Sequence, residues 1–203
     1  MLFLGGRGNG DEDPKFMGKK ARRRSSAYKR FLGDYLGLES NSGFLKMMAA
    51  ERDSKVVFSD VVVKVNKRYR MQERVIAITD NALYNLTTRH YRKQRRIPFE
   101  QVLSVTMSPY ADNFVALHCT DDRDYLLLSN RKTEMVMSLL EGVQSTQGKL
   151  LRVTFASAFD WSIEAGDMRE IRFVQEETGV LTQVIAKREG ATRTNTREEN
   201  PTM

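Results

Sequence analysis

Five cations fall within residues 64–74 of this 203-residue chain: Lys64, Lys67, Arg68, Arg70 and Arg74, in the run VKVNKRYRMQER. Ammonium and guanidinium groups at that density recognise anions, the guanidinium fork pairing with phosphate oxygens and the ammonium acting as a point charge. Two more basic clusters lie nearby in sequence. One spans residues 19–30 with Lys19, Lys20, Arg22, Arg23, Arg24, Lys29 and Arg30, and the other holds Arg89, Arg92, Lys93, Arg95 and Arg96. The chain carries a net charge of +7, but its first hundred residues hold 22 Lys and Arg against 11 Asp and Glu, and the remainder 11 against 15. Self-repulsion in so dense a set costs stability unless an anionic partner offsets it.

Other chemistry finds fewer ingredients. His90 sits among arginines, and His118 precedes Cys119 on an expected strand, where neighbouring side chains point to opposite faces and cannot form a Cys–His catalytic pair. Two histidines and one cysteine show no zinc-ligand spacing, and Asp121, Asp122 and Asp124 lack the glycine and terminal glutamate of a calcium loop. No acid, base and nucleophile set emerges, so neither an enzyme nor a small-molecule substrate, metal or cofactor is expected. The GGRGNG of residues 5–10 lacks the strand before it and the Lys-Ser/Thr after it that a phosphate loop needs, and reads as a linker. Cys119 has no partner for an internal disulfide and is expected to be a buried strand thiol without redox function. No apolar run reaches the roughly 18–20 residues of a membrane span, and MLFLGG is too short for a secretory signal, so the chain is expected on the cytosolic side.

The positioning elements follow from periodicity. Apolar, β-branched runs at 57–65, 72–79, 82–87, 97–106, 113–120 and 124–129, separated by turn residues, predict an antiparallel meander. The NKRYR between the first two has the composition of a hairpin connection, so its cations ride on a rigid turn. Alternate loops of a meander leave the same edge, which places loops 66–71 and 88–96 on one rim. Met135, Leu139 and Val143 predict an amphipathic helix over 131–146 that covers an open end of a small barrel or roll. Further strands at 150–157, 169–175 and 180–187 are expected to extend the sheet. A helix over residues 27–31, capped by Ser25 or Ser26, and a short one at 44–50 precede the meander. Residues 1–20 and 189–203 are expected to be mobile tails.

Two anions compete on charge alone. An anionic bilayer gains about 1 kcal/mol per nearby Lys or Arg, and Tyr69 at the turn could sit at its interface. Single-stranded nucleic acid could stack on Tyr28, Tyr69 and Tyr91, each interleaved with basic residues, although nothing supports sequence-specific reading. Arg22-Arg23-Arg24-Ser25-Ser26 also has the form of a site for a basic-directed kinase, and phosphate there would weaken attraction to an anionic surface.

The run KKARRRSSAYKRFLGDYLGL, then VVFSDVVVKVNKRYRMQERVIAITDNALYNL, then RRIPFEQVLSVTMSPYADNFVALH, resembles the tail homology 1 domain of class I myosins. The likeness spans residues 20–188; its most specific parts are the basic run leading to Gly33-Asp34-Tyr35 and the hairpin ending in Arg74. It implies an α+β, mainly antiparallel domain over 21–188 with a pleckstrin-homology-like core over about 55–147, a leading helix, a covering helix and extra C-terminal strands. It implies peripheral attachment to acidic phospholipids, phosphatidylinositol bisphosphate and phosphatidylserine among them, at the inner plasma membrane or endosomes, and partners in the actomyosin cytoskeleton. The family's phosphoinositide lysine and arginine fall on Lys64 and Arg74, with Lys67, Arg68 and Arg70 between them. Arg22, Arg23, Arg24, Arg89, Arg92, Lys93, Arg95 and Arg96 are expected to add contacts to the anionic surface. The motor head is absent from the resemblance, so no ATPase is expected. RNA binding and a cytoskeletal adaptor role remain the alternatives.

Overall fold

The computed structural model describes residues 15–22, 31–188 and 191–196. Alternating apolar residues build strands β3 (Val56–Val65), β4 (Met71–Thr79), β5 (Ala82–Leu86), β6 (Lys93–Pro98), β7 (Val102–Met107), β8 (Phe114–Cys119) and β9 (Tyr125–Leu128), followed by helix α2 (Lys132–Gln147). Ahead of them stand the short strands β1 (Lys15–Phe16) and β2 (Lys20–Ala21) and helix α1 (Ser42–Ala50), whose N-cap Asn41 accepts a hydrogen bond from the Phe44 amide. After α2 come β10 (Arg152–Phe155), β11 (Ala158–Glu164), β12 (Asp167–Glu176), β13 (Gly179–Arg188) and β14 (Ala191–Thr196). The larger sheet runs β10-β7-β8-β9-β3-β4-β5-β6, antiparallel except where β10 joins β7. It curls into an open roll with β6 and β10 as its edges. The fold is therefore α+β and mainly antiparallel, a meander with a covering helix and added C-terminal strands.

Three apolar layers explain the sequence pattern. The inner face of the roll collects Phe58, Val62, Ile76, Ile78, Leu83 and Ile97 against Met135, Leu139 and Val143 of α2. The opposite face of β4 and β5 packs Val75, Ala77, Tyr84 and Leu86 on Leu38, Phe44 and Met48. VIAIT and ALYNL are thus continuous buried runs because β4 and β5 are covered on both sides. Of the C-terminal strands expected to extend the sheet, only β10 does; β11-β12-β13-β14 form a second sheet seated on the roll by the third layer, Trp161, Ile171 and Phe173 meeting Phe114, Ala116 and Leu126.

Several expected boundaries move. The run expected as one strand over 97–106 breaks at a 3-10 turn, Phe99–Gln101, which seats Phe99 in the core. Residues 93–96, expected in a loop, are strand β6 paired with β5. Within the expected tails, β1 pairs with β2 and β14 pairs with β13. The leading helix falls mostly outside the described residues; Phe31, its last expected residue, and the adjoining Leu32 are exposed.

Gly33-Asp34-Tyr35 serves as a clasp. The Ser59 amide donates to the Gly33 carbonyl, the Tyr35 amide donates to the Ser59 carbonyl, and Glu134 of α2 accepts from the Gly33 amide and the Tyr35 hydroxyl. Gly33 has a φ of 83°, and a Cβ there would lie 2.8 Å from the Val57 carbonyl oxygen. Left-handed backbone plus that contact should make Gly33→Ala cost about 2–3 kcal/mol, read as a lower midpoint in urea unfolding.

Candidate anion-binding site

Parity along the strands decides which cations meet. Phe58 and Val62 face the interior, so Lys64 at the end of β3 faces it too; Ile78 and Ile76 set the same face for Arg74 on β4. Arg74 lies across from Val62, one cross-strand step from the Lys64–Gln72 pair. On β5 and β6, Leu83 pairs with Ile97 inside the roll, which puts the next inner pair, Asn85 and Arg95, toward the open end. Lys64, Arg74, Asn85 and Arg95 therefore form a polar tier above the apolar core.

The electrostatics of that tier are unbalanced. Burial, then Arg74, then Arg95 hold the Lys64 ammonium below the ordinary lysine range. Its Nζ lies 4.7 Å from the centre of the Tyr125 ring, and the Arg95 guanidinium lies 5.2 Å from the same ring. Arg95 also reaches Asp121 at 2.7 Å and the Arg123 carbonyl at 2.6 Å, while Arg74 donates to the Glu73 carbonyl and to Gln72 Oε1. A cleft of about 200 Å³ opens beside Lys64, Asn85 and Arg95, with Lys67, Asp124, Tyr125 and Trp161 also on its walls; Arg74 does not line it.

The hairpin turn above it is rigid. Asn66 Oδ1 accepts from the amides of Arg68 and Arg70 at 2.8 and 3.0 Å, and the Tyr69 amide donates to the Asn66 carbonyl. Lys67, Arg68 and Arg70 stand exposed around it. Tyr69, expected to be free for a membrane interface, is covered instead: Arg169 of β12 stacks 4.5 Å from its ring centre. Tyr91, a second expected stacking platform, is half-buried against the outer core layer, and Tyr28 lies outside the described residues.

The third basic cluster divides by face. Arg89 and Arg92 are exposed in the β5–β6 turn, on the same edge of the meander as the 66–70 turn. Lys93 pairs with Glu51. Arg96 turns to the outer face, where it meets Asp53 at 2.7 Å and the Tyr84 hydroxyl at 3.1 Å. Only Arg95 of this cluster lines the cleft. Arg22 is half-buried, and Arg23, Arg24, Ser25 and Ser26 lie outside the described residues. Sequence reasoning missed Asn85, Tyr125 and Trp161; the sole signal for Asn85 was a polar residue in the run ALYNL.

Cys119 and His118 point apart as expected, and burial pushes the Cys119 thiol up to about 11. His118 has an unforeseen arrangement, with Nε2 2.9 Å from Thr106 Oγ1 and Nδ1 2.9 Å from Asp124 Oδ2. This has the order of a nucleophile, base and acid, but Thr106 is buried and Asp124 also accepts from the Cys119 and Ser162 amides. The group clasps β11 to the roll.

A family model for the unconventional myosin tail, described as actin- and lipid-binding, matches residues 22–199. The chain belongs to this myosin tail family. Myosin IB heavy chain of Dictyostelium discoideum is 28% identical over 169 residues, 80% of this chain and 15% of that protein. Myosin-1 of Laccaria bicolor is 30% identical over 176 residues, covering 79% of this chain and 13% of that protein. This myosin tail thus spans about one-seventh of the length of the curated relatives it matches. Among solved structures, the PH domain of human oxysterol binding protein-related protein 11 aligns with a TM-score of 0.39 at 13% identity, covering 47% of this chain and 85% of that one.

Proposed function

We propose that this myosin tail is a peripheral membrane-binding module in which the Lys64–Arg74 tier grips the phosphates of an acidic phospholipid, a phosphoinositide above all. The observation that carries this reading is the placement of Lys64: an inward ammonium whose strongest charged neighbours are two arginines. A phosphate would relieve that repulsion and accept from both ammonium and guanidinium. Lys67 lines the cleft, and Arg68 and Arg70 stand exposed on the same turn, already rigidified by Asn66, so little entropy is lost when they meet a bilayer. Arg89 and Arg92, on the same edge, add nonspecific attraction. Among the described residues no helix is long and apolar enough to cross a membrane, which suits attachment from one side. Nucleic acid is the weaker reading, because Tyr69 and Tyr91 are engaged within the fold. Actin binding is kept as the family describes it, without residues, and no motor activity is proposed for a match confined to the tail.

Sedimentation with phosphatidylcholine vesicles carrying increasing phosphatidylinositol bisphosphate tests the proposal. Binding should rise with anionic lipid and fall with salt. At about 1 kcal/mol per cation, Lys64→Ala with Arg74→Ala should weaken it roughly 30-fold. Unchanged affinity of the double variant would reject the site.

A further inference from the structure

The tier contains one polar atom that no cation explains. Asn85 is only 5% exposed and lines the cleft, yet among the described residues its buried Oδ1 has no hydrogen-bond partner. Its amide nitrogen donates to the Tyr125 hydroxyl at 3.0 Å, which fixes the side chain so that the carbonyl oxygen is held in place. A buried acceptor in this state costs stability until a donor reaches it.

Ionised phosphate oxygens only accept, so a fully ionised phosphate alone leaves Oδ1 unsatisfied. An ammonium donor would be repelled by Lys64 and by Arg95, the cross-strand partner of Asn85. A neutral hydroxyl beside a phosphate satisfies both demands. Resting on the headgroup reading above, we propose that Asn85 sets the specificity of the cleft: with Lys64 and Arg95 on phosphate oxygens, Asn85 Oδ1 accepts a ring hydroxyl of the headgroup. Asn85 is then the residue that separates a hydroxylated headgroup from other anions of equal charge. The acids nearest the cleft do not oppose this: Asp121 is bound by Arg95 and Arg123, and Asp124 by His118 and two backbone amides. The same chemistry is offered by an inositol lipid in a bilayer and by a soluble inositol phosphate.

Isothermal titration of the full chain with inositol trisphosphate and with benzene trisphosphate, which has matched phosphates and no hydroxyls, separates the contributions. The unmodified chain should prefer the inositol compound by about tenfold, the worth of one buried hydrogen bond. Asn85→Ala should bring the ratio to within about twofold, through loss of affinity for the inositol compound. Equal affinity of the unmodified chain for both ligands, still lost in Lys64→Ala, would overturn the hydroxyl role and keep the phosphate site. Binding of neither ligand would overturn both. Because the comparison of ligands uses the unmodified chain, it stands even if Asn85→Ala fails to fold. Displacement of bound inositol trisphosphate by phosphatidylinositol bisphosphate vesicles identifies the lipid as the source. Tight binding without displacement identifies a soluble polyol phosphate and overturns the membrane reading alone.

Discussion

Asp112→Ala should be among the most damaging single changes in this domain, costing about 3–5 kcal/mol. Asp112 is buried between two buried lysines, 2.9 Å from Lys20 Nζ and 3.3 Å from Lys132 Nζ, and accepts from the Ser108 hydroxyl and the Phe114 amide. Its removal leaves two buried lysines whose acceptors among the described residues are neutral, Ser108 and Tyr110 for Lys20 and backbone carbonyls for Lys132, whose amine burial already holds well below the ordinary lysine range. Thermal denaturation should show a midpoint lower by roughly 6–20 °C for a domain of this size. A change under about 1 °C would show that the pair of lysines does not need its carboxylate. Although burial pushes the other way, Lys132 and Lys20 hold the Asp112 carboxyl below its ordinary 3.8. Since the unfolded chain then binds more protons in that window, this contribution is full above pH 3.8 and is lost as pH falls through the lowered value. The difference between wild type and Asp112→Ala should accordingly shrink in strong acid.

Trp161→Ala should cost a similar amount, about 3–5 kcal/mol, for a different reason. Trp161 is 1% exposed and joins the four-stranded sheet to Phe114, Ala116 and Leu126 of the roll. The same side chain is a wall of the cleft below the hairpin. Hydrogen exchange should therefore show loss of protection in β11–β13 ahead of β3–β5, accompanied by weaker binding of inositol phosphates. Uniform loss across both sheets would mean that they unfold as one unit and that Trp161 is not the seam.

How much of this was legible in the sequence depends on which force set each position. The meander and α2 were legible because one-sided burial writes its period into the chain, as in Met135, Leu139 and Val143. The facing of Lys64 and Arg74 was also accessible, since parity from Val62 and Ile76 carries it. Lys20 was not: within KKARRR it looks like any solvated cation, and only Ser108, Tyr110 and Asp112, some ninety residues away, bury it. Tyr69 likewise reads as a free tip because Arg169, its cover, is remote in sequence. The division of Arg95 from Arg96 between two faces required the strand to begin at Lys93, and a run of basic residues hides that start. Gly33-Asp34-Tyr35 was recognisable by likeness, but its work as a clasp to Ser59 and Glu134 is long-range hydrogen bonding that no local pattern encodes.

The most direct measurement is amide chemical-shift mapping of the full chain on titration with soluble short-chain phosphatidylinositol bisphosphate. The largest shifts are expected at Lys64, residues 66–74, Asn85, Arg95 and Tyr125, with Arg89 and Arg92 moving little. Shifts confined to the Arg89–Arg92 turn or to the leading basic segment, with the hairpin unmoved, would contradict the claim that the inward tier of Lys64 and Arg74 holds the lipid phosphate.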